Sequence, residues 1–143
     1  MRQYIFGALV VAGLGAQFGV ATMGAQQGGR TTNDGVYTEE QAKRGGALYE
    51  KNCTSCHGSG MEGIEMAPPL VGSEFDANWN KAQLSDLSER IRVSMPQDKP
   101  GSLSRQQTVD VLAYILAFNK VPAGKTELPL ETEALRAITI IRQ

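Results

Sequence analysis

The sequence predicts one mostly α-helical domain, and three observations carry that expectation. Two capping boxes, Thr38 with Gln41 and Ser104 with Gln107, each open a run of helical periodicity. No stretch shows sustained strand alternation, and no internal repeat is evident. The run CTSCH, Cys53 to His57, follows directly on the first helical run and holds both cysteines and the only histidine of the 143-residue chain.

Along the chain, residues 1–25 have the layout of a cleavable export signal: Arg2, an apolar stretch from Tyr4 to about Leu14, and small residues around Ala25. Read as an uncleaved anchor, the same residues are a weak span, rich in Gly and Ala with Gln17 in the middle. No membrane span is therefore expected in the mature chain. Residues 26–36, with Gly, Thr and Asn, read as a flexible, solvated linker. The folded domain is expected over 37–121. Its first helix should run from Glu39 to Asn52, with an acidic first turn that suits the helix dipole. CTSCH ends this helix, and Gly58 and Gly60 break it. Residues 58–72, with adjacent Pro68 and Pro69, read as a loop able to wrap a flat ligand. GSEFDANWN suggests a short turn of helix. Leu84, Leu87 and Ile91 lie on one face of an amphipathic helix that Pro96 stops. After the irregular SMPQDKPGS, Ser104 caps the most apolar helix, whose run from Val111 to Phe118 requires burial on more than one side. Residues 122–143 form a C-terminal extension with a short helix around Glu131 to Ala137 and an apolar ITII, packing on the domain or on a partner.

C-x-x-C-H reads as an attachment site for c-type haem, with one thioether from each cysteine and the imidazole on the iron. Three other chemistries use parts of it. A redox dithiol normally opens a helix after a strand, whereas this motif follows a helix. Structural zinc wants four ligands, and the chain has three cysteines and histidines in all. A plain disulfide leaves the adjoining His57 a coincidence. The expected cofactor is one covalent haem c with its iron, held by Cys53, Cys56 and His57. The opposite axial ligand cannot be a second histidine of this chain, and methionine is the first candidate. Met61 and Met66 lie within ten residues of His57, which leaves little chain to round the macrocycle, and are expected to pack at its edge. Met95 sits between a helix and a Pro-Gly loop and is the expected ligand, with Lys99 as a rival. A ligating imidazole needs an acceptor for its other ring nitrogen. The carbonyl of Pro68 is a candidate, unless Pro68 and Pro69 only stiffen a turn. Trp79 and Tyr114 are propionate donors or core fillers, Tyr114 the latter. Ligands on both faces of the iron leave no open position for substrate, so the expectation is an electron carrier and not an enzyme.

From Tyr37 to Lys120 the chain resembles the class I monohaem cytochromes c. Gly45 and Tyr49 stand eight and four residues before Cys53, matching that family's G-x-x-x-aromatic-x-x-x-C-x-x-C-H pattern. APPLVG resembles its G-P-x-L-x-G loop, with Ala67 in place of the usual glycine, and SMP at Ser94 to Pro96 resembles its methionine loop. The resemblance implies a class I cytochrome c fold: N- and C-terminal helices crossing at Gly45 against Val111 and Tyr114, the Pro68 carbonyl orienting His57, and Met95 as second ligand. The segments 54–64 and 96–102 would then surround an exposed haem edge. FDANWN, RIRVSMPQDKPGSLS and DVLAYILAFNKVPAGKTELP are similar to small bacterial cytochromes that accompany pyrroloquinoline quinone dependent dehydrogenases. This implies a periplasmic one-electron carrier of a respiratory chain, with a dehydrogenase or quinol-oxidising complex as donor and an oxidase or another cytochrome as acceptor. The alternative is a tightly bound haem subunit of a quinoprotein dehydrogenase or other oxidoreductase, docked through residues 122–143. A sensory haem with an open sixth site is a third reading. A net charge of −1 and the absence of a basic patch exclude nucleic acid and select no partner by overall charge.

Overall fold

The computed structural model describes residues 29–142. The expected leader, 1–25, and the first residues of the expected linker lie outside them. In chain order come β1 (Arg30–Thr31), a 3-10 turn (Thr32–Asp34), α1 (Glu39–Asn52), α2 (Thr54–His57), α3 (Gly72–Trp79), α4 (Leu84–Ser94), α5 (Arg105–Phe118), α6 (Thr132–Arg136) and β2 (Ile138–Thr139). The domain is thus mostly helical, as its periodicity requires.

The centre of the fold is the packing of α1 on α5. Thr38 caps α1 by accepting from the Gln41 amide at 3.1 Å. The return half of that box is not made: the Gln41 side chain is buried, and its Oε1 accepts from the Leu128 amide at 2.8 Å instead. The box at Ser104 is complete. Ala42, Gly45 and Tyr49, at helical spacing, form the buried face of α1, while α5 is buried nearly all round from Thr108 to Leu116. At the crossing, a Cβ on Gly45 would fall on the Asp110 carbonyl and lie 2.9 Å from Tyr114 Cβ. Only glycine fits. The contact is therefore with Asp110 and Tyr114, one residue off the Val111 and Tyr114 pair expected from the family pattern. The Tyr49 and Tyr114 rings pack at 5.4 Å between centroids, and Phe118 meets Tyr114 edge-on at 6.0 Å. Tyr114 is thus partly buried and packed against the core. Arg44 on α1 straps the crossing: it donates to both oxygens of Asp110 at 3.0 and 3.1 Å and to Glu127 at 2.8 and 2.9 Å.

The chain ends differ from the linker expectation. Residues 29–36 are not a solvated linker, because Thr32 and Val36 are buried and β1 pairs in parallel with β2, Arg30 opposite Ile138 and Thr31 opposite Thr139. Thr32 Oγ1 donates to the Ile141 carbonyl at 3.2 Å and accepts from its amide at 3.0 Å. The cause is a partner more than a hundred residues away in sequence. Local composition carries no trace of it. In the extension, Leu128, Leu135, Ile138 and Ile140 are buried in the same hydrophobic cluster as α1, α4 and α5. Tyr37 clamps its start, donating to the Val121 carbonyl at 2.5 Å. Arg142 clamps its end through Asp76 at 2.8 Å and the Asn119 carbonyl. No helix among the described residues is long and apolar enough to cross a membrane.

Candidate functional site

Cys53 is the C-cap of α1, its amide bonded to the Tyr49 carbonyl at 2.8 Å, and α2 is the single turn that follows. The His57 amide closes on the Cys53 carbonyl at 2.9 Å. Tyr49 holds the far end of that turn by donating its hydroxyl to the Gly58 carbonyl at 2.9 Å. The aromatic residue four before the motif thus fixes where the motif stops. Both thiols are free, Cys53 half-buried against the hydrophobic cluster and Cys56 exposed. Burial, with a smaller contribution from Cys56, pushes the Cys53 thiol up to about 11. Redox dithiols depend on a lowered thiol pKa, so this environment is the wrong one for that chemistry.

His57 is buried, and its Nδ1 lies 3.0 Å from the Pro68 carbonyl. A carbonyl can only accept, so Nδ1 carries the proton and Nε2 keeps the lone pair a metal requires. The loop is folded to make this bond. Gly63 donates to the His57 carbonyl and Ile64 to the Cys56 carbonyl, both at 2.9 Å, while Leu70 donates to Met61 at 2.8 Å. Gly63 has φ +77°, and a Cβ there would strike the Ala67 carbonyl and lie 2.9 Å from Pro69 N. It is a positioning residue that the sequence did not single out among the loop glycines. Ala67 replaces the family's glycine without strain, since it is not among the residues at positive φ. Asn119, the C-cap of α5, donates to the Leu70 carbonyl at 2.8 Å and so ties the loop's end to the last helical turn. Nothing in the sequence marked it, because the partner carbonyl belongs to the backbone.

The structure therefore brings Cys53, Cys56, His57 and Pro68 together in one turn and its loop. Met95 is the C-cap of α4, its amide bonded to the Ile91 carbonyl at 3.0 Å, half-buried against the hydrophobic cluster that also receives Cys53. Lys99 is exposed in the turn beyond. Of the other methionines, Met61 is fully buried within the protein's own core, and Met66 stands out from the protein's own side chains at 95% exposed.

These residues fit a covalently held, flat, apolar group carrying iron. Among the described residues no three His, Cys, Asp or Glu side chains gather to hold a metal ion, so protein ligands alone do not make a zinc site. Leu70, Val71, Trp79, Met95 and Phe118 pack on the core on one side and stay partly uncovered on the other. Such a surface suits a macrocycle joined at Cys53 and Cys56, with His57 Nε2 as donor to its iron.

Comparison with known proteins agrees. A family model described as cytochrome C oxidase, cbb3-type, subunit III matches residues 40–115. Cytochrome c-551 of Bacillus subtilis (strain 168) is 32% identical over 68 residues, covering 46% of this chain and 56% of that protein. A chain in the crystal structure of the sulfane dehydrogenase SoxCD from Paracoccus pantotrophus shares the fold, with a TM-score of 0.55 at 23% identity over 74% of this chain and 60% of that one. The matches thus span less than two thirds of either relative.

Proposed function

Because this chain belongs to the cytochrome c family matched over residues 40–115, as a class I monohaem cytochrome c whose cofactor is one covalent haem c with its iron, we propose that it is a periplasmic one-electron carrier. The reading takes Cys53 and Cys56 as the thioether residues, His57 and Met95 as the axial ligands, and residues 1–25 as the export signal. The observation that carries it is the Nδ1 contact of His57 with the Pro68 carbonyl, which leaves Nε2 as the ring nitrogen available to a metal. Bound haem supplies a one-electron couple. The residues of the chain hold and tune it. Pro68 fixes the tautomer and raises the basicity of His57. A Met95 thioether favours ferrous over ferric iron, which raises the potential and closes the sixth position.

The donor is a dehydrogenase, of the quinoprotein type by the resemblance of residues 75–80, 90–104 and 110–129, or a quinol-oxidising complex, and the acceptor is an oxidase or another cytochrome. A free carrier is preferred to a resident subunit because the apolar side chains of the extension that would dock one, Leu128, Leu135, Ile138 and Ile140, are spent on the domain's own core. Gel filtration of the native mature protein separates the two readings, since a carrier elutes alone. The ligand assignment is tested by Met95→Ala in the holoprotein. The expected outcome is a lowered potential and carbon monoxide binding to the reduced form; an unchanged potential with no carbon monoxide binding removes Met95 from the role.

A further inference from the structure

Given the ligation of haem iron by His57, on which this rests, we infer that Asn119 is a positioning residue for that histidine and that Arg142, late in the extension, holds Asn119 to the task. Asn119 is 4% exposed. Its Nδ2 donates to the Leu70 carbonyl at 2.8 Å and to the Ile115 carbonyl at 2.9 Å, while its Oδ1 is buried with no partner among the described residues. An unpaired buried acceptor works against stability, so an asparagine here calls for a reason other than stability. The Ile115 carbonyl already accepts from the Asn119 amide at 3.1 Å, which leaves Leu70 as the contact that only this side chain supplies. Leu70 stands two residues after Pro68, whose carbonyl lies 3.0 Å from His57 Nδ1.

Arg142 fixes where that carboxamide stands. Its guanidinium donates to the Asn119 carbonyl and, through Nε, to Asp76 Oδ1 of α3 at 2.8 Å, and its amide donates to Asn80 Oδ1 at 3.0 Å. The arginine side chain is 16% exposed, so salt and solvent screen this pairing little. Since α3 begins at Gly72, directly after Leu70 and Val71, one side chain joins the helix that leaves the loop to the residue that grips the loop's end. The neighbouring backbone is laced to the same place: Lys81 donates to the Ile140 carbonyl at 2.7 Å and Ile140 to the Ala82 carbonyl at 2.9 Å. Asn119 and Arg142 both lie beyond residues 40–115, so the brace comes from outside the stretch that the family model matches. Without it the end of the loop is free to shift and carry the Pro68 carbonyl from His57. A weaker Nδ1 hydrogen bond makes the imidazole a poorer donor to iron, which costs the ferric form more than the ferrous.

The test uses the holoprotein and its Asn119→Leu, Arg142→Met and Leu135→Ala variants. Redox titration reads the potential, proton NMR of the ferric form reads solvent exchange of the His57 Nδ1 proton, and guanidinium unfolding reads stability. Leu135, buried in the extension, is the control for stability alone. Asn119→Leu and Arg142→Met are each expected to shift the ferrous-to-ferric ratio at fixed potential roughly threefold or more towards ferrous, about 28 mV where a tenfold shift is about 59 mV for one electron. Exchange of the Nδ1 proton should quicken by roughly the same factor or more. Leu135→Ala should lose stability and leave potential and exchange as they were. A potential that simply follows stability across the three variants overturns the positioning role. Arg142→Met leaves the core intact and decides the matter if Asn119→Leu does not fold. A response in Asn119→Leu alone overturns the part given to Arg142. Unchanged potential and exchange in both, with His57 ring signals shifted by the iron, overturns this inference and leaves the ligation standing; absence of those signals in the wild-type protein overturns both.

Discussion

Replacing Gly45 or Gly46 by alanine separates two effects that pull in opposite directions on adjacent residues of α1. Each change favours the helix by about 0.8–1 kcal/mol, because alanine loses less backbone entropy than glycine. At Gly46 the new Cβ would meet only the edge of the Tyr114 ring, at 3.2 and 3.3 Å, a side chain able to give by a few tenths of an ångström. Gly46→Ala is therefore expected to be neutral or stabilising by up to about 1 kcal/mol. At Gly45 the Cβ would fall on the Asp110 carbonyl, which belongs to the backbone of α5 and cannot swing aside. The helices must separate. Overpacking of this kind costs about 1–3 kcal/mol, and separation also loosens the Tyr49–Tyr114 pair, worth about 0.5–1.5 kcal/mol. Set against the propensity gain, Gly45→Ala should destabilise by about 2 kcal/mol, a shift of roughly thirtyfold in the folding equilibrium. Guanidinium unfolding of the holoproteins, followed by circular dichroism, reads both values as shifts in midpoint at constant slope. Equal stabilisation by the two substitutions would refute the argument that contact at Gly45 limits how closely α1 and α5 approach.

Four further outcomes follow from particular contacts. Gly63→Ala forces alanine into a left-handed conformation at about 1–2 kcal/mol and drives the Ala67 carbonyl away, so the Pro68 carbonyl should loosen its hold on His57. Redox titration should then show a raised potential as His57 loses basicity, and an unaltered potential with unaltered stability would remove Gly63 from its positioning role. Arg44→Met strips the guanidinium from Asp110, whose side chain is 5% exposed, and leaves it only the Gln106 amide at 2.8 Å. Stability should fall modestly, since solvent screens the half-exposed arginine, and a double-mutant cycle with Asp110→Asn should give a favourable coupling, which a value of zero would contradict. Burial, helped by Glu39, raises the Tyr37 hydroxyl above its ordinary 10.0. Above that pH the unfolded chain releases a proton that the folded one keeps, so this contribution is fully present below pH 10.0 and fades as pH climbs through the folded value. Tyr37→Phe should flatten the alkaline fall in stability, with Tyr49, also raised by burial, sustaining the remainder; parallel pH profiles would count against it. Ile140→Ala, at a fully buried site of the extension, should cost about 2–5 kcal/mol in the same unfolding assay, and a loss below about 0.5 kcal/mol would show the extension to be a surface appendage.

The helices and the motif were legible because their causes are local. Thr38 and Ser104 place the starts of α1 and α5, Pro96 closes the segment after α4, and the apolar run from Val111 declares a helix buried on several sides. CTSCH names its chemistry by residue type and spacing alone, and Pro68 could be picked as the partner of His57 because a ligating imidazole needs an acceptor and this loop offers a rigid one.

What tertiary structure decided are the contacts between segments far apart in sequence. Thr32 looks like a linker residue until Ile141 supplies its partner, Val36 until the core closes over it, and Gln41 looks like half of a capping box until Leu128 takes its oxygen. Gly63 and Asn119 acquire their roles only when the loop closes on itself and on α5, since both act on backbone carbonyls that every residue possesses. Periodicity, capping and motif spacing act within a few residues and are written in side-chain identity. A backbone group chooses its partner by position in space, which only the folded chain determines.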